Sequence, residues 1–287
     1  MKPEDIKRET ILYGILGDAL EKRNLPSNIN DYFDDNQMDS FCSIFNIRAE
    51  DLGFFLHGLR QQHNVKGLFV EPSHSSDALE KVDELSIIAK VCGVIDSIEI
   101  RDGKLIGTMS FVEGVAKTLY AKGILQDKKV AVIGTNSYAK AMILALSAFN
   151  PKEILLVDPF LEEALQLSSE ITAINAYKSF DFARCASDIK CDMSEVTVLI
   201  NMSDSGIENQ DNFINFNHLS DEIVIVDHHT LEEADTYLID YANKNGLSMM
   251  DGLYLKLLGV SENIYYWQEK NSKIADDYRT IKTLQKV

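Results

Sequence analysis

Short apolar runs alternate with helically spaced ones in two successive stretches of the chain. In the first stretch, Ile11–Gly17 and Gly67–Val70 have the length and composition of buried strands. Gly53–Gln62 carries Phe54, Phe55 and Leu59 at helical spacing. Asp77–Val91 sets Leu79, Val82, Leu85, Ile88 and Ala89 on one face, with Asp77 in the first turn, and predicts a single amphipathic helix. Ser97–Ile100 and Lys104–Gly107 flank Arg101-Asp102-Gly103, and Asp-Gly between alternating runs predicts a hairpin. The second stretch, beyond Gly107, is cleaner. Strands are expected at Val130–Gly134, Ile154–Asp158, Val196–Ile200 and Glu222–Asp227, with helices over Tyr138–Phe149 and Phe160–Thr172. Continuous apolar strands separated by helices predict a parallel sheet covered on both faces. From Leu231 the chain reads as mostly helical, and Glu269–Val287 is polar.

The length of 287 residues suits two domains of ordinary size, and 45% hydrophobic with 25% charged residues fits a soluble globular protein. The formal net charge of −17 repels phosphate backbones, so nucleic acid and anionic membranes are excluded as general partners. Cys42, Cys92, Cys185 and Cys191 form no C-x-x-C pair, so neither a metal centre nor a disulfide framework is expected. No apolar run reaches the ~18 residues of a membrane helix, and Met1–Glu9 is charged rather than signal-like. A cytoplasmic location is the expectation.

Candidate chemistry gathers at strand ends. Gly134-Thr135-Asn136-Ser137 follows a strand and opens a helix, the context of a dinucleotide-binding turn, although Asn136 stands where a second glycine would be. The alternative is an ordinary strand-to-helix turn. Asp158 ends the next strand, where an acid accepts ribose hydroxyls and disfavours a 2′-phosphate; before Pro159 it also suits a helix cap. Asn201 and Asp227 end further strands of the same sheet. In Asp227-His228-His229-Thr230 adjacent side chains point to opposite faces, so one metal cannot readily take both histidines. One imidazole, His228 or His229, is a candidate proton carrier or ligand contact, against a cap with a solvent-facing histidine. His74 lies in the polar segment Pro72-Ser73-His74-Ser75-Ser76, read as a turn, where the competing role is capping the next helix.

Taken in order, these pieces resemble the shikimate dehydrogenase family. The resemblance rests on Tyr13-Gly14-Ile15-Leu16-Gly17-Asp18, on Gly67–Ser86 and on Ala89–Asp96 with Asp102–Gly107. Gly134 onward, and Asp251-Gly252-Leu253 with its helix, complete it. It implies an α/β protein with an N-terminal α/β substrate domain, residues 1–107 plus 248–287, whose C-terminal helices return to it. A Rossmann-like doubly wound parallel-sheet domain would span 108–247. The family's functional residues do not carry over. Its acid/base lysine, right after a Pro-His pair, falls at Ser75, and its partner aspartate at Phe111. The asparagine holding substrate hydroxyls becomes Asp96, and the serines gripping the substrate carboxylate become Arg23 and Leu25. The glutamine of the C-terminal helix falls at Gly259, and the basic residue selecting the phosphorylated nicotinamide at Pro159.

The resulting expectation is an oxidoreductase acting on a small polar or anionic metabolite other than shikimate, using NAD if any nicotinamide. His74, His228 and Asp96 would handle protons, while Lys22, Arg23, Ser75 and Asp96 would contact substrate across a cleft from the cofactor strands. Gly134, Thr135, Asn136, Ser137, Asp158 and Asn201 would hold the cofactor. A homodimer is a further expectation. The rivals are a relative without catalysis or cofactor that binds a metabolite or a partner, and an enzyme using another adenosyl cofactor.

Overall fold

The computed structural model describes residues 6–18, 25–158, 160–174, 181–185, 193–203, 219–228 and 236–267. Lys22, Arg23, Pro159 and His229 lie outside them. Contacts divide the chain into two units, 1–114 with 257–287, and 115–256.

The first unit runs β1 (Ile11–Gly17), α1 (Leu25–Asp35), β2 (Ser40–Asn46), α2 (Leu52–Leu59), β3 (Val65–Val70) and α3 (Pro72–Leu79). There follow β4 (Glu84–Leu85), α4 (Ile87–Cys92), β5 (Ser97–Arg101), β6 (Lys104–Thr108) and the start of α5 (Ser110–Ala121). Its six-stranded sheet has the order β2-β1-β3-β5-β6-β4. The β2, β1 and β3 strands are parallel, while β5 runs antiparallel to both β3 and β6. The hairpin forms as the Asp-Gly pair predicts: Asp102 (φ 52°) and Gly103 (φ 75°) both take the left-handed backbone that matches strand twist. The outer edge of β2 is closed by Asn30 of α1. Its amide donates to the Cys42 carbonyl (2.9 Å) and accepts the Cys42 N–H (2.8 Å), standing in for a neighbouring strand.

Two expectations are corrected here. Asp77–Val91 is not one helix but α3, the short strand β4 and α4. The break is made by long-range bonds: Asp83 pairs with Arg60 and accepts the Leu105 N–H at 2.8 Å, drawing Glu84 and Leu85 alongside β6. Ser86 then caps α4, accepting the Ala89 N–H at 3.3 Å. The segment around His74 is not a turn but the first turns of α3, with Pro72 at the helix start, where its missing N–H costs nothing.

The second unit contains β7 (Lys129–Ile133), α6 (Ser137–Ser147), β8 (Glu153–Val157), α7 (Leu161–Ile174), β9 (Asp181–Cys185) and β10 (Val196–Asn201). It continues through β11 (Val224–Asp227), α8 (Tyr237–Asn245), β12 (Ser248–Met250) and the first turn of α9 (Gly252–Trp267). All six strands pair in parallel, in the order β12-β11-β10-β7-β8-β9. The chain therefore reverses its direction of travel across the sheet between β7 and β10, the switch point at which doubly wound sheets bind ligands. Ala131, Ile133, Leu155, Val157, Leu199 and Ile225 pack one face with Leu238 and Ala242 of α8. Among the described residues no helix is long and apolar enough to cross a membrane.

Candidate active site

In the first unit the parallel strands end together, and the antiparallel β5 begins at the same edge. Val70 N–H donates to the Asp96 carbonyl (2.7 Å), Glu71 N–H to Leu16 (2.9 Å), and Ile47 N–H to Gly17 (3.0 Å). This lattice brings His74, Ser75 and Asp96 to one edge. His74 is 1% exposed, and its Nε2 lies 2.6 Å from the Ile47 carbonyl. A carbonyl only accepts, so Nε2 carries the proton, and in the neutral ring Nδ1 is then a lone pair. That Nδ1 is buried with no hydrogen-bond partner. Ser75 is differently occupied: its hydroxyl donates to the Ile95 carbonyl (2.6 Å) and accepts the Ile95 N–H (3.0 Å).

Asp96 is half-buried beneath the first turn of α5. Oδ1 accepts from the Ser110 N–H (2.8 Å), the Ser110 hydroxyl (2.9 Å) and the Ser97 hydroxyl (2.9 Å), while Oδ2 accepts the Phe111 N–H (2.7 Å). Withdrawal from solvent pushes its carboxyl above the ordinary aspartate range, and the Phe111 and Ser110 donors pull the other way. Asn263, 4% exposed on α9, extends the network by donating to the Ser110 hydroxyl at 2.7 Å. The sequence reading missed Asn263, although it lies one helical turn beyond Gly259, a position already singled out. At Gly259 a Cβ would come 2.9 Å from Phe111 Cβ and 3.1 Å from its Cα, so α5 and α9 touch with no room for a longer side chain.

In the second unit, Gly134 follows β7 with φ +104°, and a Cβ there would meet Ser203 Cα and N, both at 2.9 Å. Thr135, Asn136 and Ser137 are half-buried. Asn136 caps α6 by accepting the Ala139 N–H (2.8 Å), and its amide donates to the Met202 carbonyl (2.8 Å), so it ties the turn to the end of β10. Asp158, 5% exposed, accepts the Phe160 N–H at 2.9 Å and the Thr135 hydroxyl at 3.0 Å. Burial raises its carboxyl above the ordinary range, the two donors oppose this, and the charge of Glu163 adds to the rise. Both readings of Asp158 are thus compatible, since it caps the approach to α7 and still ends β8.

Asn201 and Asp227 are fully buried and joined at 3.1 Å. Asn201 also accepts from the N–H (3.1 Å) and hydroxyl (2.7 Å) of Ser203, and Asp227 accepts the Thr236 hydroxyl (2.7 Å). The half-buried His228 turns Nδ1 toward the Asn201 carbonyl at 3.1 Å. Ser203 and Thr236 were missed because neither belongs to a recognisable motif. Among the described residues no three His, Cys, Asp or Glu side chains gather to hold a metal.

No family model matches the chain. A shikimate dehydrogenase (NADP(+)) of Bacillus cereus (strain AH187) is 28% identical over 164 residues, which are 56% of this chain and 59% of that protein. The match therefore spans about three-fifths of the curated relative. The ligand-free 5-ketofructose reductase of Gluconobacter sp. strain CHM43 has the same fold, with TM-score 0.78 at 19% identity, over 96% of this chain and 98% of that one. So does the shikimate 5-dehydrogenase of Listeria monocytogenes in complex with shikimate and NAD, with TM-score 0.76 at 20% identity over 97% of each chain.

Proposed function

Because this chain is a relative of the shikimate dehydrogenases, in sequence over about half its length and in fold nearly throughout, we propose that it is an oxidoreductase. Its substrate is a small polyhydroxylated metabolite other than shikimate, and its cofactor is NAD. The likeness to a 5-ketofructose reductase supports a substrate class wider than shikimate.

The observation that carries the reading is His74. Oxidising a secondary alcohol needs a group that takes the hydroxyl proton as hydride leaves, a contribution of ~10²–10⁴-fold. Aligned on its Pro-His pair, the family's acid/base lysine falls at Ser75; we count instead from Pro72, which opens α3, and this revised placement gives His74. Its Nδ1 is a buried acceptor without a donor, an arrangement that costs stability and that a substrate hydroxyl would relieve. Oδ2 of Asp96 holds a single protein donor, so it retains capacity for a second substrate hydroxyl. Phe111 and Leu25, where the resemblance implies an aspartate and a serine, offer no polar group to shikimate.

The second unit fits a dinucleotide. The missing Cβ of Gly134 leaves the turn close to β10, the first turn of α6 presents backbone N–H groups, and Asp158 suits ribose hydroxyls. When bound, the nicotinamide supplies the hydride acceptor. The test is a turnover panel of small polyols and hydroxy acids with NAD and NADP. We expect NAD-linked oxidation of a polyol, a kcat loss of ~10²–10⁴-fold in His74→Gln, and shikimate with NADP at background. Shikimate turnover with NADP at the level of an ordinary family member overturns the reading.

A further inference from the structure

Resting on the reading of Asp96 as a substrate contact, we propose that Asn263 of α9 is its positioning residue. Acting through Ser110 and Ser97, it holds the Asp96 carboxylate by Oδ1 so that Oδ2 meets the substrate hydroxyl. The chain of bonds has a direction. An amide NH2 only donates, and Asn263 Nδ2 lies 2.7 Å from Ser110 Oγ. Ser110 Oγ therefore accepts there, and its single proton goes to Asp96 Oδ1 at 2.9 Å. Ser97 is the second link. Its hydroxyl lies 2.9 Å from Asp96 Oδ1 and 3.3 Å from Asn263 Oδ1, so both hydroxyls that reach the carboxylate also touch the asparagine. Together with the Ser110 N–H at 2.8 Å these donors gather on Oδ1, while Oδ2 receives the Phe111 N–H at 2.7 Å. All of these groups belong to the first unit.

The place of Asn263 on its helix supports a role beyond packing. It is buried among Leu257, Val260 and Ile264, which are apolar. An amide taken out of water there costs stability that its hydrogen bonds must offset, and an apolar side chain would pack without that cost. Its bonds lead to two hydroxyls, and both hydroxyls lead to Asp96. Gly259, one turn earlier, makes the reach possible. A Cβ there would come 2.9 Å from Phe111 Cβ, so α9 lies close enough to α5 for a side chain as short as asparagine to meet Ser110.

The test is steady-state kinetics with NAD and, one at a time, erythritol, xylitol and sorbitol. The proteins are the wild type, Asn263→Leu, Ser110→Ala, Asp96→Asn and the Asn263→Leu/Asp96→Asn double variant, each checked for folding by far-UV circular dichroism. Ser110→Ala breaks the chain one link further on without enlarging a side chain, so the outcome does not depend on how leucine packs. Asn263→Leu and Ser110→Ala should each raise the KM of the oxidised polyol by about three- to tenfold, the scale of one hydrogen bond. The kcat and the KM of NAD should stay near wild type, because proton transfer belongs to His74. In the Asp96→Asn background, Asn263→Leu should add nothing, since its effect passes through the carboxylate. A polyol KM that both single variants leave unchanged, or an equal rise in the Asp96→Asn background, overturns this inference alone. Asp96→Asn with the wild-type KM overturns the substrate role of Asp96 and this inference with it. A wild type that oxidises none of the three polyols overturns the polyol reading as well.

Discussion

Replacing Gly134 by alanine tests whether the β7–α6 turn depends on the absence of a side chain. Two costs arise at this position. The backbone sits at φ +104°, where an L-residue is strained by about 1–2 kcal/mol or more. The new Cβ would also meet backbone atoms, Ser203 Cα and N at 2.9 Å and Met202 C at 3.1 Å, which no rotamer change can move aside. Overpacking of this kind costs about 1–3 kcal/mol, so the sum is about 2–5 kcal/mol. Gly123 supplies the control within the same unit. Its φ is +71° and nothing lies within 4 Å of an added Cβ, so Gly123→Ala carries the backbone cost alone. The assay is urea unfolding followed by far-UV circular dichroism, with hydrogen exchange at the β7 amides. Tryptophan fluorescence would report the wrong unit, because the single tryptophan, Trp267, belongs to the first. Gly134→Ala should exceed Gly123→Ala by about 1–3 kcal/mol and weaken NAD binding where the fold is intact. Equal costs for the two variants would refute the close-approach argument.

Two further outcomes concern the first unit. Asp96→Asn should destabilise the chain by about 1–3 kcal/mol at pH 7, since an amide cannot accept from Ser110, Ser97 and Phe111 together. The folded carboxyl is raised, so its charged form is penalised above that pKa and the penalty fades as pH falls through it. Wild-type stability should therefore gain on that of the asparagine variant on acidification from pH 7; a narrowing gap in urea titrations would reverse the sign of the argument. Burial pushes the Cys42 thiol up to about 12, so iodoacetamide at pH 7 should modify it only after unfolding, as read by peptide mass mapping. Labelling of the native chain at Cys42 would show that the Asn30 clasp on β2 opens readily.

The second sheet was legible because its central strands are covered on both faces. Val130–Ile133, Ile154–Val157 and Val198–Ile200 are buried at nearly every position, and a sequence shows that as an unbroken apolar run. Its edge strands were not. Asp181–Cys185 reads Asp-Phe-Ala-Arg-Cys, and Ser248–Met250 is three residues long. Edge strands bury less and carry less signal. In the first unit α1 was missed although Leu25, Ile29, Tyr32 and Phe33 lie on one buried face, because Pro26 and the five asparagine or aspartate residues of the segment read as loop. The Asp77–Val91 error has another source. The apolar period continues through Leu79, Val82 and Leu85, and only the distant partners Arg60 and Leu105 turn the backbone out of the helix. Local pattern cannot encode a bond to a residue more than 20 positions away.

Residue types at the site were visible in the same way, but their availability was not, because availability is what remains after hydrogen bonds within the protein are counted. Ser75 gives its hydroxyl proton to the Ile95 carbonyl, and Asn136 and Asn201 spend their amides on Met202 and Asp227. From sequence these looked equivalent to His74 and Asp158 as ligand contacts. The difference is that His74 keeps a buried Nδ1 with no hydrogen-bond partner, while Asp158, with two donors on its carboxylate, retains acceptor capacity. An unmet acceptor inside a folded protein costs free energy, so the buried Nδ1 of His74 favours a ligand that donates to it. On the proposed reading a substrate alcohol would do so at His74, and ribose hydroxyls would meet Asp158. The two halves of the proposed chemistry therefore rest on separate observations in separate units, and the variants His74→Gln and Asp158→Asn test them independently.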